Sequence, residues 1–163
     1  MEKIKDIKLA IAGAMGVLTG LWGWMGWLVL GWIGCMVLDY ITGTSAAALR
    51  GEWSSTKARE GIWHKVGMVI IVVVAAASDL LIAVVLDHLP VVDLPFAYTG
   101  MICPVVLIWY IVTELGSMVE NAVHMGAPVP AFLVRLLETS QRAVDAAGDE
   151  MEKSLGKEVS GDV

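Results

Sequence analysis

The side chains with chemical potential are a few acids in or beside long apolar runs: Asp39, Asp79, Glu114 and Glu120. An ionised carboxylate at the centre of a bilayer costs on the order of 2.5–3.5 kcal/mol on insertion scales, so each must face water, a bundle interior or a partner. Asp79 is the most exposed to this argument, because it lies 14 residues beyond Lys65, about 21 Å along a helix. Such an acid lines an aqueous path or drives helix association; equally, it serves as a hydrogen-bonded packing residue. Asp39 is in the same position if its helix continues to Leu49, and is interfacial if the helix ends near Gly43. Glu114 and Glu120 fall near the end of an apolar run, where Arg59, Lys65 or water are the expected partners. No nucleophile is paired with a base: GxSxG, P-loop, HExxH and CxxC patterns are all missing, so the chain reads as a non-enzyme. Cys35 and Cys103 both sit inside apolar runs, and His64, His88 and His124 are far apart. No metal site and no cofactor is expected.

The elements that must carry these acids are membrane helices. Of the 163 residues, 57% are hydrophobic, above the roughly 45–50% of soluble domains. Residues 9–38 contain no Asp, Glu, Lys, Arg or His; residues 66–86 contain Asp79 alone; residues 94–113 contain none. About 20 apolar residues cross a hydrocarbon core of about 30 Å. The expectation is therefore an all-α integral membrane bundle.

The first run is too long for one upright span, about 45 Å if helical throughout. A strongly tilted helix accommodates it, as does a break at Gly23-Trp24-Met25-Gly26, with Trp22, Trp24 and Trp27 at the membrane–water interface. The distribution of the 11 Lys and Arg favours the break. Lys3, Lys5 and Lys8 precede the run, four bases lie between Arg50 and Lys65, and four follow the last span. The loop 87–93 has none. Positive residues collect on the cytoplasmic side, which two crossings before residue 50 satisfy for every base. Four spans are expected, at about 7–22, 27–49, 66–86 and 96–116, with three spans as the alternative and both termini in the cytoplasm. Pro104 inside the last span predicts a kink. The Lys-rich start is read as retained, because the apolar stretch before Ala12-Gly13-Ala14 is too short for a signal peptide.

Ala12, Gly16 and Gly20 form a small-xxx-small ladder, which lets membrane helices approach closely within a bundle or between copies. In the cytoplasmic loop, Ser54 and Ser55 supply a helix N-cap, and Gly61 and Lys65 lead into the next span. Residues 1–126 form the transmembrane domain. Beyond Ala127-Pro128-Val129-Pro130, residues 127–155 have apolar positions at helical spacing and read as an amphipathic helix on the membrane or on a partner helix. Leu133, Leu137, Ser140, Val144, Ala147 and Met151 form a weak seam there, expected to meet the tails of adjacent protomers. Residues 156–163 are expected to be disordered. The segment 138–163 holds seven acids and three bases, four of the net −6 charges. An acidic balance argues against nucleic acid as a partner.

Several short strings occur in order: Leu38-Asp39-Tyr40-Ile41-Thr42-Gly43, then Ser54-Ser55 followed by Gly61-Ile62-Trp63-His64-Lys65, then Glu114-Leu115-Gly116-Ser117-Met118-Val119-Glu120-Asn121, and Gly126 through Pro130. This order resembles the phage-lysis and toxin-secretion holin family that includes the clostridial toxin-release holins. The resemblance covers residues 38–137 and adds Asn121 to Asp39, Asp79, Glu114 and Glu120 as a candidate for pore formation or assembly. It implies a small multi-pass protein of the bacterial cytoplasmic membrane whose partners are lipid and further copies of itself. Such proteins assemble and open lesions that release an endolysin or a toxin as cargo, without binding it specifically. The long acidic tail departs from the short basic tail common in that family. A regulatory, antiholin-like membrane protein and a small channel or transporter subunit are the alternative readings.

Overall fold

The computed structural model describes residues 3–6, 8–9, 12–13, 16, 20, 23–88 and 100–160. Its long helices are α1 (Met25–Leu49), α2 (Ser55–His88), α3 (Ile102–His124) and α4 (Ala131–Ser160). The first three are long and apolar enough to cross a membrane. The protein is an all-α membrane bundle.

Local chemistry sets the helix ends. Ser54 Oγ accepts the Lys57 backbone N–H at 3.1 Å, capping α2. At the end of α1, Gly51 (φ 69°) donates to the Ala48 carbonyl, and Glu52 donates to that of Ala47. At the end of α3, Gly126 (φ 85°) donates to Val123, and Ala127 donates to Ala122. Both are Schellman ends, which need a left-handed residue and therefore favour glycine. Pro128 and Pro130 then keep the chain extended until α4 begins.

The boundaries differ from those expected in instructive ways. The chain turns at Gly23 and Trp24, and α1 starts at Met25. The expected span 7–22 falls largely outside the described residues, as does the outer loop beyond His88. The third expected span, 66–86, is the apolar part of a longer helix that already begins at Ser55. The fourth is displaced toward the C-terminus: residues 96–99 are not described, and the helix occupies Ile102–His124 rather than 96–116. Pro104 consequently falls in the first turn, where its missing N–H forfeits no helical bond and its fixed φ suits the helix. At that position the proline gives no cause for the expected kink. The C-terminal helix starts at Ala131 and runs to Ser160, past the expected end at residue 155 and into the stretch expected to be disordered.

α3 is the central element. It packs against α1, α2 and α4, whereas α1 and α2 meet only briefly and α4 touches α3 alone among these helices. The core between α1, α2 and α3 is thin: Trp32, Met36, Met68, Val72, Cys103 and the fully buried Leu107 are its main members. The Trp32 and Tyr110 rings stack at 5.9 Å. Ile70, Val73, Val74, Leu80 and Leu81 on α2 all point outward. An apolar surface of this extent is unsuited to water and matches lipid. Where α1 and α2 diverge, an apolar groove of about 310 Å³ opens between Met36, Tyr40, Ile62, Val66 and Val69.

Candidate functional site: a buried ionic latch and a capped half-helix

Asp39, Thr42 and Gly43 stand at i, i+3 and i+4 on α1, and therefore on one face. Glu114 and Asn121, seven residues apart on α3, share a face as well. The structure brings these two faces together and inserts Lys65 of α2 between them. Lys65 Nζ donates to Asp39 Oδ2 at 3.0 Å and to both Glu114 oxygens at 2.6 Å. The Asn121 amide donates to Asp39 Oδ1 at 3.1 Å and to Thr42 Oγ1 at 3.3 Å. Gly43 borders the same amide: a Cβ there would be in van der Waals contact with Asn121 Nδ2 at 3.4 Å. The side chains of Lys65 and Asp39 are each 17% exposed and that of Glu114 is 4% exposed. One ammonium and two carboxylates thus tie three helices together in a largely dry setting. Charge-assisted bonds of this kind are directional, so they set the rotation and register of each helix.

The second polar cluster is set around Asp79, which is 14 residues farther along α2, about 21 Å. Its Oδ1 accepts the backbone N–H of Met101 at 3.1 Å and of Ile102 at 3.0 Å, and its Oδ2 accepts that of Cys103 at 2.8 Å. These are the N-cap, first and second residues of α3. A helix start leaves such donors without internal partners. Pro104 contributes no donor, so one carboxylate from a neighbouring helix satisfies the N–H groups up to it. The helix dipole adds to the attraction. Gly100 (φ 81°) makes the approach possible, because a Cβ there would meet Asp79 Oδ2 at 3.3 Å. Of the two readings left open by the sequence, this geometry serves the hydrogen-bonded packing one: Asp79 caps α3.

The other candidates lie elsewhere. Glu120 is exposed and borders the cleft between α3 and α4 near Glu138 and Gln141. Glu114 takes Lys65 from its expected partners, not Arg59. Ser55 opens α2 behind the Ser54 cap, and Gly61 is half-buried with no atom within 4 Å of a built Cβ. Ala12, Gly16 and Gly20 are exposed, and nothing lies within 4 Å of a Cβ built at either glycine. They are not brought to the latch. Thr42, Gly43, Gly100 and Pro104 escaped selection as site residues. The i, i+3, i+4 spacing of Asp39, Thr42 and Gly43 was the available signal for the first two.

Within the chain, α4 packs on α3; Leu133, Leu137, Ser140, Val144 and Met151 of the seam are half-buried, while Ala147 is exposed. Trp109 Nε1 donates to Asp145 Oδ1 at 2.8 Å.

The latch residues are those of the ordered motif set, and the profile of the bacteriophage holin family matches residues 16–142. The chain belongs to the bacteriophage holin family. It is 33% identical to an uncharacterized protein of Listeria innocua over 90% of this chain and 93% of the relative. It is 31% identical to an uncharacterized protein of Listeria monocytogenes over 80% of this chain and 84% of the relative. A third relative, an uncharacterized protein of Halalkalibacterium halodurans, is 31% identical over 76% of this chain and 82% of its own length. No solved structure matches significantly. The family match spans Gly16 through Arg142, so it includes the latch, the Asp79 cap and the first part of α4.

Proposed function

We propose that this holin-family protein accumulates in the bacterial cytoplasmic membrane, oligomerises there and opens lesions that release a cell-wall hydrolase or a toxin. The observation that carries the reading is the latch, a buried ion network in a bundle with a thin core and an apolar exterior. Between apolar helices in lipid there is little hydrophobic driving force, so packing and polar contacts decide association. Here those polar contacts are concentrated in one network and one cap. Such bonds fix the rotation of each helix, so every copy presents the same apolar faces of α1 and α2 to lipid and to neighbouring copies.

In this reading the latch lies toward the cytoplasm, next to the base-rich loop after α1, and Asp79 lies toward the outside. Both termini face the cytoplasm while the membrane is intact. Reporters active only outside the membrane, fused to each end, should be silent. An active N-terminal fusion beside a silent C-terminal one would replace four crossings by three. For function, inducible expression should collapse the membrane potential and admit an impermeant dye. Full accumulation in the membrane with potential and growth untouched would sink the holin reading. Delay of lysis by a co-expressed holin would point instead to an antiholin.

A further inference from the structure

α4 has 30 residues and is about 45 Å long, enough to cross a membrane. It runs back along α3. From Ala131 to Asp145 is 14 steps and from His124 back to Trp109 is 15, and the bond between Trp109 and Asp145 shows that the two helices advance together. Trp109 is seven residues from the start of α3, so the remainder of α4 extends past the outer end of its neighbour. The part of α4 that runs beside α3 therefore lies at the depth of the bilayer.

Its composition does not suit lipid at that depth. Leu137 lines the cleft against α3, and Val144 and Met151 are half-buried on the same side of the helix. Around the opposite side, Arg135, Arg142, Asp149, Glu150 and Lys153 are all exposed. Arg135, Arg142, Asp149 and Lys153, at intervals of seven, seven and four, form one continuous ridge that Glu150 flanks. Charged side chains facing hydrocarbon are strongly disfavoured, and five on one helix face require water. An amphipathic helix of this kind otherwise lies in the interface, with its apolar face in the membrane.

We propose that α4 docked on α3 is the arrangement of the permeabilised membrane, in which the ridge from Arg135 to Lys153 faces the water of the lesion. Before opening, α4 lies along the cytoplasmic surface. On opening it turns into the membrane against its own α3, trading the apolar interface for the Thr113, Ser117 and Trp109 side of that helix. Each protomer then presents one charged helix to the lumen and the apolar faces of α1 and α2 to lipid or neighbours. From Arg135 to Lys153 the exposed charges of α4 are five acids and three bases, so the wall is wetted and favours cations. The inference rests on the holin reading and adds the identity of the lumen wall.

The test uses full-length protein with Cys35→Ser and Cys103→Ser. Trp109→Cys and Asp145→Cys together are treated with a membrane-permeant bismaleimide in cells, before and after dye entry begins. Asp149→Cys alone is treated with an impermeant charged maleimide after dye entry. The expected result is an intrachain 109–145 link that appears only once dye enters, together with labelling at 149. Loss of the link at all times, with strong labelling, would leave α4 on the surface and overturn the proposal. A link without labelling at 149 would put the ridge in a dry interior and overturn it as well. A link already present before dye entry would overturn the movement. Dye entry is scored in the same cells, so failure of α4 to dock in cells that do admit dye refutes this inference alone. An intact barrier despite full accumulation removes the holin reading and this inference with it.

Discussion

Replacing Lys65 by methionine keeps most of the side-chain length and removes the only cation of the latch. Glu114, 4% exposed, and Asp39, 17% exposed, are then left facing each other across α1 and α3 without the ammonium between them. Breaking a buried ion pair from one side costs about 3–5 kcal/mol, because the remaining charge stays uncompensated. Each 1.4 kcal/mol is a factor of ten, so the latched bundle should lose roughly two to three and a half orders of magnitude in population relative to its unlatched forms. An exposed pair would be worth about 0–1 kcal/mol and would give almost no change. The assay is thermal unfolding in detergent together with the time from induction to dye entry at matched membrane levels. Lys65→Met should unfold at markedly lower temperature and, because lesions are assembled from latched bundles, admit dye later. Adding Asp39→Asn and Glu114→Gln removes the orphaned charges and should recover most of the loss, since a buried pair replaced on both sides is often near neutral. Wild-type unfolding and onset in the single variant would refute the latch as the element that holds the bundle. Equal damage in single and triple variants would refute the charge argument.

Asp79→Asn keeps one carbonyl oxygen and turns an amide toward the Cys103 N–H, so about 1–3 kcal/mol of bundle stability should be lost. Backbone amides at Ile102 and Cys103 should exchange faster, and unchanged exchange would contradict the cap. Gly100→Ala forces a left-handed backbone on a residue with a Cβ and presses it against Asp79, so it should cost at least about 1 kcal/mol in detergent unfolding. Trp32→Phe should be tolerated: the Trp32 indole N–H is buried without a partner among the described residues, so its removal discards no bond while the contact with Tyr110 persists. A loss of more than about 2 kcal/mol there would show that the volume removed from the core, rather than the unpartnered N–H, decides the outcome.

Much of the architecture was legible because hydrocarbon is a severe solvent. Runs such as 66–86 are long, charge-poor and rich in Val and Ile, and only a lipid-facing helix has use for them. The Ser54 cap and the amphipathic period after Pro130 are local devices that follow from residue type and spacing. Boundaries were less legible where two devices competed. Pro104 read as a kink within a span from 96 to 116 because nothing local announced that α3 starts only at Ile102. The start depends on Asp79, more than twenty residues earlier, to accept the first N–H groups.

The sequence by itself determined that this chain belongs in a membrane, which residues are too polar to rest there unpartnered, and that Asp39 and Thr42 share a helix face. Tertiary structure alone decided the pairings. Lys65 was available to Asp39, Glu114 or water, and Asp79 to a lumen or a helix end. The α4 seam was equally available to a neighbour's tail or to α3. Hydrophobic burial is non-directional and leaves helix rotation and axial register nearly free, whereas a hydrogen bond or ion pair is satisfied only at one rotation and one register. Spacing along one chain records which residues share a face; which face they meet is settled only when the helices pack.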